Sequence, residues 1–109
     1  MAEISYEEFS KLELKAGTIL SAEKVPGADR LYKLSVDVGE EQPRTLVAGI
    51  AQQYSVEQLA GKQIIVVANL APRTLRGIVS QGMLLAADAD GAPAILSPDK
   101  NVPNGAKVK

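Results

Sequence analysis

Between Tyr32 and Val38 the chain alternates without a break: Tyr32, Leu34, Val36 and Val38 are apolar, and Lys33, Ser35 and Asp37 are polar. A period of two is the pleat of a strand with one face in a core and the other in water. It commits the chain to a sheet that must bury one side. The same alternation is present upstream, with Leu14, Ala16, Thr18, Leu20 and Ala22 on one side and Lys15, Gly17, Ile19 and Ser21 on the other. This predicts a first strand from Leu14 to Val25. Pro26-Gly27-Ala28-Asp29 is a turn signal, and Gly39 to Pro43 turns the chain again into a third strand, Arg44 to Ile50. Strands joined by connections this short are antiparallel.

Two helix starts are equally legible. Ser5-Tyr6-Glu7-Glu8 and Ser55-Val56-Glu57-Gln58 are both capping boxes, in which the serine side chain accepts from the backbone three residues on and the acid or amide reaches back. They predict a short amphipathic helix over 5–12 and a one- to two-turn helix that stops at Gly61. Gln63 to Leu70, nearly all apolar and β-branched, reads as a fourth strand buried on both faces. Ala71 to Gln81 reads as a loop and Gly82 to Ala87 as a fifth strand. A turn at 88–91, a short strand at 94–96 and a closing segment at 102–108 complete the chain. Three antiparallel strands, a helix and two more strands form the order of the all-β, five-stranded Greek-key OB-fold barrel, with one short N-terminal helix and another between strands 3 and 4. An SH3-like barrel has no natural place for that second helix. With no repeat, linker or low-complexity stretch, residues 1–109 are expected to form a single domain.

Composition narrows the function. The chain has neither cysteine nor histidine, which removes disulfides, thiolate and imidazole metal sites, and the usual nucleophile–base pairs. No catalytic residue, metal or cofactor is expected. The polar start lacks a signal peptide's apolar region, and runs such as Ile64–Ala68 are far too short to span a bilayer. A cytoplasmic chain without membrane contact is the expectation.

The net charge is −1, which by itself argues against a charge-driven polyanion binder. Its distribution argues otherwise. Residues 1–57 carry ten acids against six bases, whereas residues 58–87 carry Lys62, Arg73 and Arg76 and no acid. OB barrels bind on the face of strands 2–3 and on the loops joining strands 1–2 and 4–5. That scheme places Arg30 and Lys33 at the first loop and Asn69, Arg73, Arg76, Ser80 and Gln81 on the second, with Met83 at its end. Arginine forks and a lysine point charge form a phosphate-contact set. The aromatics are Tyr6, Phe9, Tyr32 and Tyr54. They form no stacking platform of the kind single-strand binders use, which favours a structured RNA recognised by shape and backbone.

The run Leu70-Ala71-Pro72-Arg73-Thr74-Leu75-Arg76-Gly77-Ile78-Val79-Ser80-Gln81-Gly82-Met83, preceded by Val67-Ala68-Asn69, resembles the signature of the dimeric tRNA-binding OB family. Leu12 to Gly17, Gly27 to Leu34, Arg44 to Ile50 and Leu96 to Asp99 add to the likeness, which covers nearly the whole chain. The family occurs as free tRNA-binding proteins, as C-terminal domains or β subunits of methionyl-tRNA synthetases, and in synthetase-associated cytokine precursors. The resemblance implies tRNA binding around the elbow of the L, without catalysis, in a homodimer that uses the N-terminal helix and the C-terminal segment. Carried over by position, it implies RNA contact by Arg30, Lys33, Asn69, Arg73, Ser80 and Met83. Thr74 departs from the pattern, standing where many members have lysine, which implies weaker binding and a shallower salt dependence. A start at Met1 and no linker before Lys109 favour a free protein over a synthetase domain. CsaA-type chaperones share the fold, and a peptide-binding dimer is the alternative reading.

Overall fold

The computed structural model describes residues 2–109. The alternating segments form a meander of β1 (Leu14–Val25), β2 (Ala28–Asp37) and β3 (Arg44–Ala48). Ladders pair Ala22 with Leu34 and Lys33 with Val47. Tyr32, Leu34, Val36 and Val38 are all buried, as their spacing requires. The first strand departs from its predicted faces. Leu14, Ala16 and Ile19 are all buried, but of these only Ile19 belongs to the main core; a register shift between Ile19 and Ser21 then leaves Leu20 51% exposed and returns Ala22 to the core opposite Leu34. A bulge inserts one residue and exchanges the two faces beyond it. The regular Leu14–Ala22 alternation gave no sign of it.

Helix α1 (Tyr6–Phe9) has both capping-box bonds, and α2 (Val56–Leu59) repeats the device with Ser55 and Gln58. Leu59 of α2 is fully buried, whereas α1 buries no side chain within the chain. Strand β4 (Gln63–Val67) returns to pair with β1, the step that makes the order Greek key. It ends three residues before the expected Leu70. The predicted loop is a hairpin of β5 (Arg73–Leu75) and β6 (Ile78–Ser80). The expected fifth strand is split into β7 (Met83–Leu84), which pairs with β4, and β8 (Ala86–Ala89), which forms a separate hairpin with β9 (Ala92–Ile95). Finally β10 (Lys107–Val108) closes on Leu14 and Lys15 of β1.

The fold is all-β with two short helices, and its main sheet runs β3-β2-β1-β4-β7, with β10 beside β1. The ladder does not close into the expected five-stranded barrel. Between the outer strands, β3 and β7, the gap is bridged by residues 80 and 81. Gln81 donates its backbone N–H to Thr45 O at 2.8 Å, and its Oε1 accepts from Thr45 N–H at 2.9 Å. Ser80 Oγ accepts from Val47 N–H at 3.0 Å. Ile19, Leu34, Leu46, Ile50, Leu59, Ile64 and Val66 fill the space inside. Each such aliphatic contributes about 1.5–3 kcal/mol by leaving water.

Candidate nucleic-acid interface

The β5–β6 hairpin is built on a two-residue turn, Arg76-Gly77, with φ of 50° and 79°. Two successive left-handed residues are what a right-twisted hairpin needs, and the first place is normally taken by asparagine, aspartate or glycine. Arginine there costs about 1 kcal/mol. The register pairs Arg73 with Ser80, Thr74 with Val79 and Leu75 with Ile78. Arg73, Thr74, Arg76 and Val79 are exposed, and Ser80 is 5% exposed. The hairpin therefore carries two arginines outward while its last residue is anchored.

That anchoring engages three residues expected to face RNA. Ser80 Oγ, besides accepting from Val47, donates to Gly82 O at 2.9 Å. The Gln81 carboxamide holds Thr45. Asn69 accepts from Glu13 N–H at 2.9 Å and donates to Lys11 O at 2.6 Å, tying the end of β4 to the segment before β1. These polar atoms already serve the fold.

Strand β3 acts as the spine along which the cations are disposed. Val47 is the ladder partner of Lys33, and it lines a small cleft with Arg73, Leu70, Leu75, Ser80 and Met83. Two residues on, just past the end of β3, Gly49 lines a second cleft of about 140 Å³ with Arg30, Gln52, Gln53, Gly91 and Pro93. Lys33, Arg73 and Arg30 thus lie in sequence beside one strand, and Arg76 sits at the tip of the hairpin that borders it. Lys33 reaches Glu23 at 3.9 Å, an exposed and weak pair. Among the described residues, no salt bridge engages Arg30, Arg73 or Arg76. Met83, 46% exposed, adds an apolar, deformable surface beside Arg73.

Arg44 is the residue that sequence reasoning missed. Its Nε and Nη2 each donate to a Glu40 carboxylate oxygen at 2.8 Å, and its Nη1 donates to Ala68 O at 2.6 Å and Gln81 O at 3.0 Å. The hydrogen bonds to Arg44 hold the Glu40 carboxyl below the usual carboxylate range, against partial desolvation; the charges of Arg44 and Lys15 add to the effect. The same hydrogen bonds push the guanidinium up. The signal available in sequence was the four-residue spacing across the Gly39–Pro43 turn.

The arrangement presents forked and point-charge donors to an anionic ligand, next to apolar side chains, with Ser80 buried and the exposed Asn69 and Gln81 hydrogen-bonded within the fold. A backbone-reading surface has this form. The family model described as "Putative tRNA binding domain" matches residues 14–107. The chain is 50% identical over 109 residues to a methionine–tRNA ligase of Pyrococcus furiosus, a match that covers 100% of this chain and 15% of that protein. The curated relatives it matches are thus about six times its length. Among solved structures, a MetRS-related protein from Pyrococcus horikoshii superposes with a TM-score of 0.93 at 40% identity, covering 100% of both chains. The chaperone CsaA of Bacillus anthracis gives a TM-score of 0.89 at 32% identity, over 99% of this chain and 100% of that one.

Proposed function

The chain belongs to the tRNA-binding domain family, and from that premise we propose that it binds folded tRNA by shape and phosphate contact, with Arg73, Lys33, Arg30 and Arg76 as the cationic set. The observation that carries this reading is the disposition of three of those cations beside β3, drawn from two separate segments, one around β2 and one in β5. Arg73 and Arg76 supply fork-shaped donors free of internal carboxylates, and Lys33 supplies a mobile charge. Asn69, Ser80 and Gln81 serve by shaping the platform, and Met83 by packing against a ribose or base beside Arg73.

The role proposed is non-catalytic: a free tRNA-binding protein, or an accessory module that raises the local concentration of tRNA near a methionyl-tRNA synthetase body. A cytoplasmic setting accords with that role. Among the described residues, no helix is long and apolar enough to cross a membrane. A homodimer is part of the proposal. It is supported by α1, a capped helix with no fully buried residue, in which Phe9 is half-buried and around which Ile4, Tyr6 and Leu12 are exposed. Sedimentation of a monomer at micromolar concentration would remove the dimer.

The CsaA likeness supports a second reading, a peptide-binding chaperone dimer. The two readings part in one experiment: titration with folded tRNA, single-stranded RNA, duplex DNA and an unfolded peptide, each at two salt concentrations. The tRNA reading expects the folded tRNA to bind most tightly and to weaken steeply with salt. Peptide binding with no salt-sensitive tRNA affinity would replace it.

A further inference from the structure

We infer that Arg44 is a positioning residue for RNA binding, a clamp whose one planar group holds both roots of the β5–β6 hairpin to the start of β3. The inference rests on the tRNA reading above. Ala68 is where the chain leaves β4 toward the hairpin, and Gln81 is where it comes back toward β7. Arg44 Nη1 donates to the carbonyls of both, at 2.6 and 3.0 Å. The opposite edge of the guanidinium is held by Glu40 through two bonds of 2.8 Å, with Lys15 Nζ 4.0 Å from the same carboxylate.

Three features give the clamp its function. The hairpin itself places no large apolar side chain in the core, since Leu75 and Ile78 are only half-buried and its other apolar residue, Val79, is exposed. Its attitude relative to β3 is therefore set at its roots. A change in that attitude moves Arg73 with respect to Lys33, which stands on β2 and does not follow. Finally, Nε, Nη1 and Nη2 of Arg44 all donate within the chain, and the open cleft of about 490 Å³ in which it lies is bordered by Glu40 and Glu41. Two carboxylates repel phosphate, so Arg44 acts on the ligand through the hairpin and not by touching it. Lysine cannot replace it, because one ammonium cannot reach a carboxylate and two carbonyls from opposite edges of a plane.

The test uses the full chain with Arg44→Lys and Glu40→Gln, both checked for folding by circular dichroism. Affinity for folded tRNA is measured over a salt series, and hydrogen exchange is followed across residues 69–81. The clamp predicts about tenfold weaker binding for Arg44→Lys and a smaller loss for Glu40→Gln, at an unchanged salt slope, with faster exchange in 69–81. A phosphate-contacting Arg44 gives the opposite pattern: Arg44→Lys keeps its affinity, and Glu40→Gln, with one negative charge fewer, binds more tightly. Either of those results, or unchanged exchange at 69–81, overturns the inference. Should Arg44→Lys not fold, Glu40→Gln carries the test, since it leaves both carbonyl bonds in place. A parent chain without tRNA affinity would sink the binding reading itself, and the exchange data would still report separately whether the hairpin is clamped.

Discussion

Truncating Arg73 to alanine separates fold from function. Arg73 is exposed, and among the described residues it enters no salt bridge. Its loss should change folding stability by less than about 0.5 kcal/mol. A charge-assisted contact to phosphate is worth about 1.5–3 kcal/mol, so at low salt the variant should bind tRNA at least about tenfold more weakly. Each phosphate contact contributes about 0.7–0.9 to the slope of log K against log salt. Between 50 and 200 mM salt the deficit of Arg73→Ala should therefore shrink about threefold, because the parent loses one more contact to screening. Lys33→Ala should show the same pattern with a smaller loss, since Lys33 must leave Glu23, 3.9 Å away, to reach a phosphate. Glu23→Gln should accordingly tighten binding. Fluorescence anisotropy with folded tRNA at four salt concentrations, beside thermal melts of the same samples, reads all of these. If Arg73→Ala and Lys33→Ala both bind as the parent does, with parental slopes, the assigned face is wrong.

Other outcomes follow from single features. Arg76→Asn relieves a left-handed arginine and should raise stability by about 0.5–1 kcal/mol while weakening tRNA binding; a lower melting temperature would contradict the strain argument. A Cβ on Gly82, at φ 133°, would meet Val67 O at 2.9 Å and Val66 Cγ1 at 3.2 Å, so Gly82→Ala should cost about 2–3 kcal/mol in urea denaturation, and parental stability would refute it. Glu40 titrates below the ordinary carboxylate range in the fold. Its contribution is thus complete above the unfolded value, about 4.3, and is lost as pH falls through the lowered one. Urea midpoints from pH 6 to 3 should fall less steeply for Glu40→Gln than for the parent; parallel curves would show that the pair is idle.

What could be read in advance depended on whether the deciding interaction was local. Tyr32 to Val38 announced its strand because one face had to be apolar, and both capping boxes were spelled out within four residues. The bulge after Ile19 was hidden, because Leu20 and Ala22 continue an apolar alternation, whereas the register shift leaves Leu20 exposed and keeps Ala22 packed on the core with Ile19. The hairpin at 73–80 read as a loop because its turn carries arginine where asparagine is usual, and Arg76-Gly77 lacks the familiar signature. In the site, Arg73 and Arg76 stood out in an acid-free stretch, whereas Arg30 and Lys33, within the acid-rich residues 1–57, were singled out only by where the binding loops of the fold fall. The hydrogen bonding of Ser80, Gln81 and Asn69 within the fold was not visible, because each bonds a backbone group more than thirty residues away. For Arg44 the Glu40 pairing was local, but its bonds to the carbonyls of Ala68 and Gln81, 24 and 37 residues on, were not visible.

The unlaced seam between β3 and β7 has a consequence for how the molecule breathes. A sheet whose last joint rests on one backbone bond, from Gln81 N–H to Thr45 O, and on the Gln81 and Ser80 side chains can part there without unzipping a ladder, and local openings of this kind lie at the low end of the free-energy scale. Lys33 stands on one bank of that joint and Arg73 on the other. A polyanion laid across both is a suture, so the ligand would quiet the very fluctuation that its own binding site straddles.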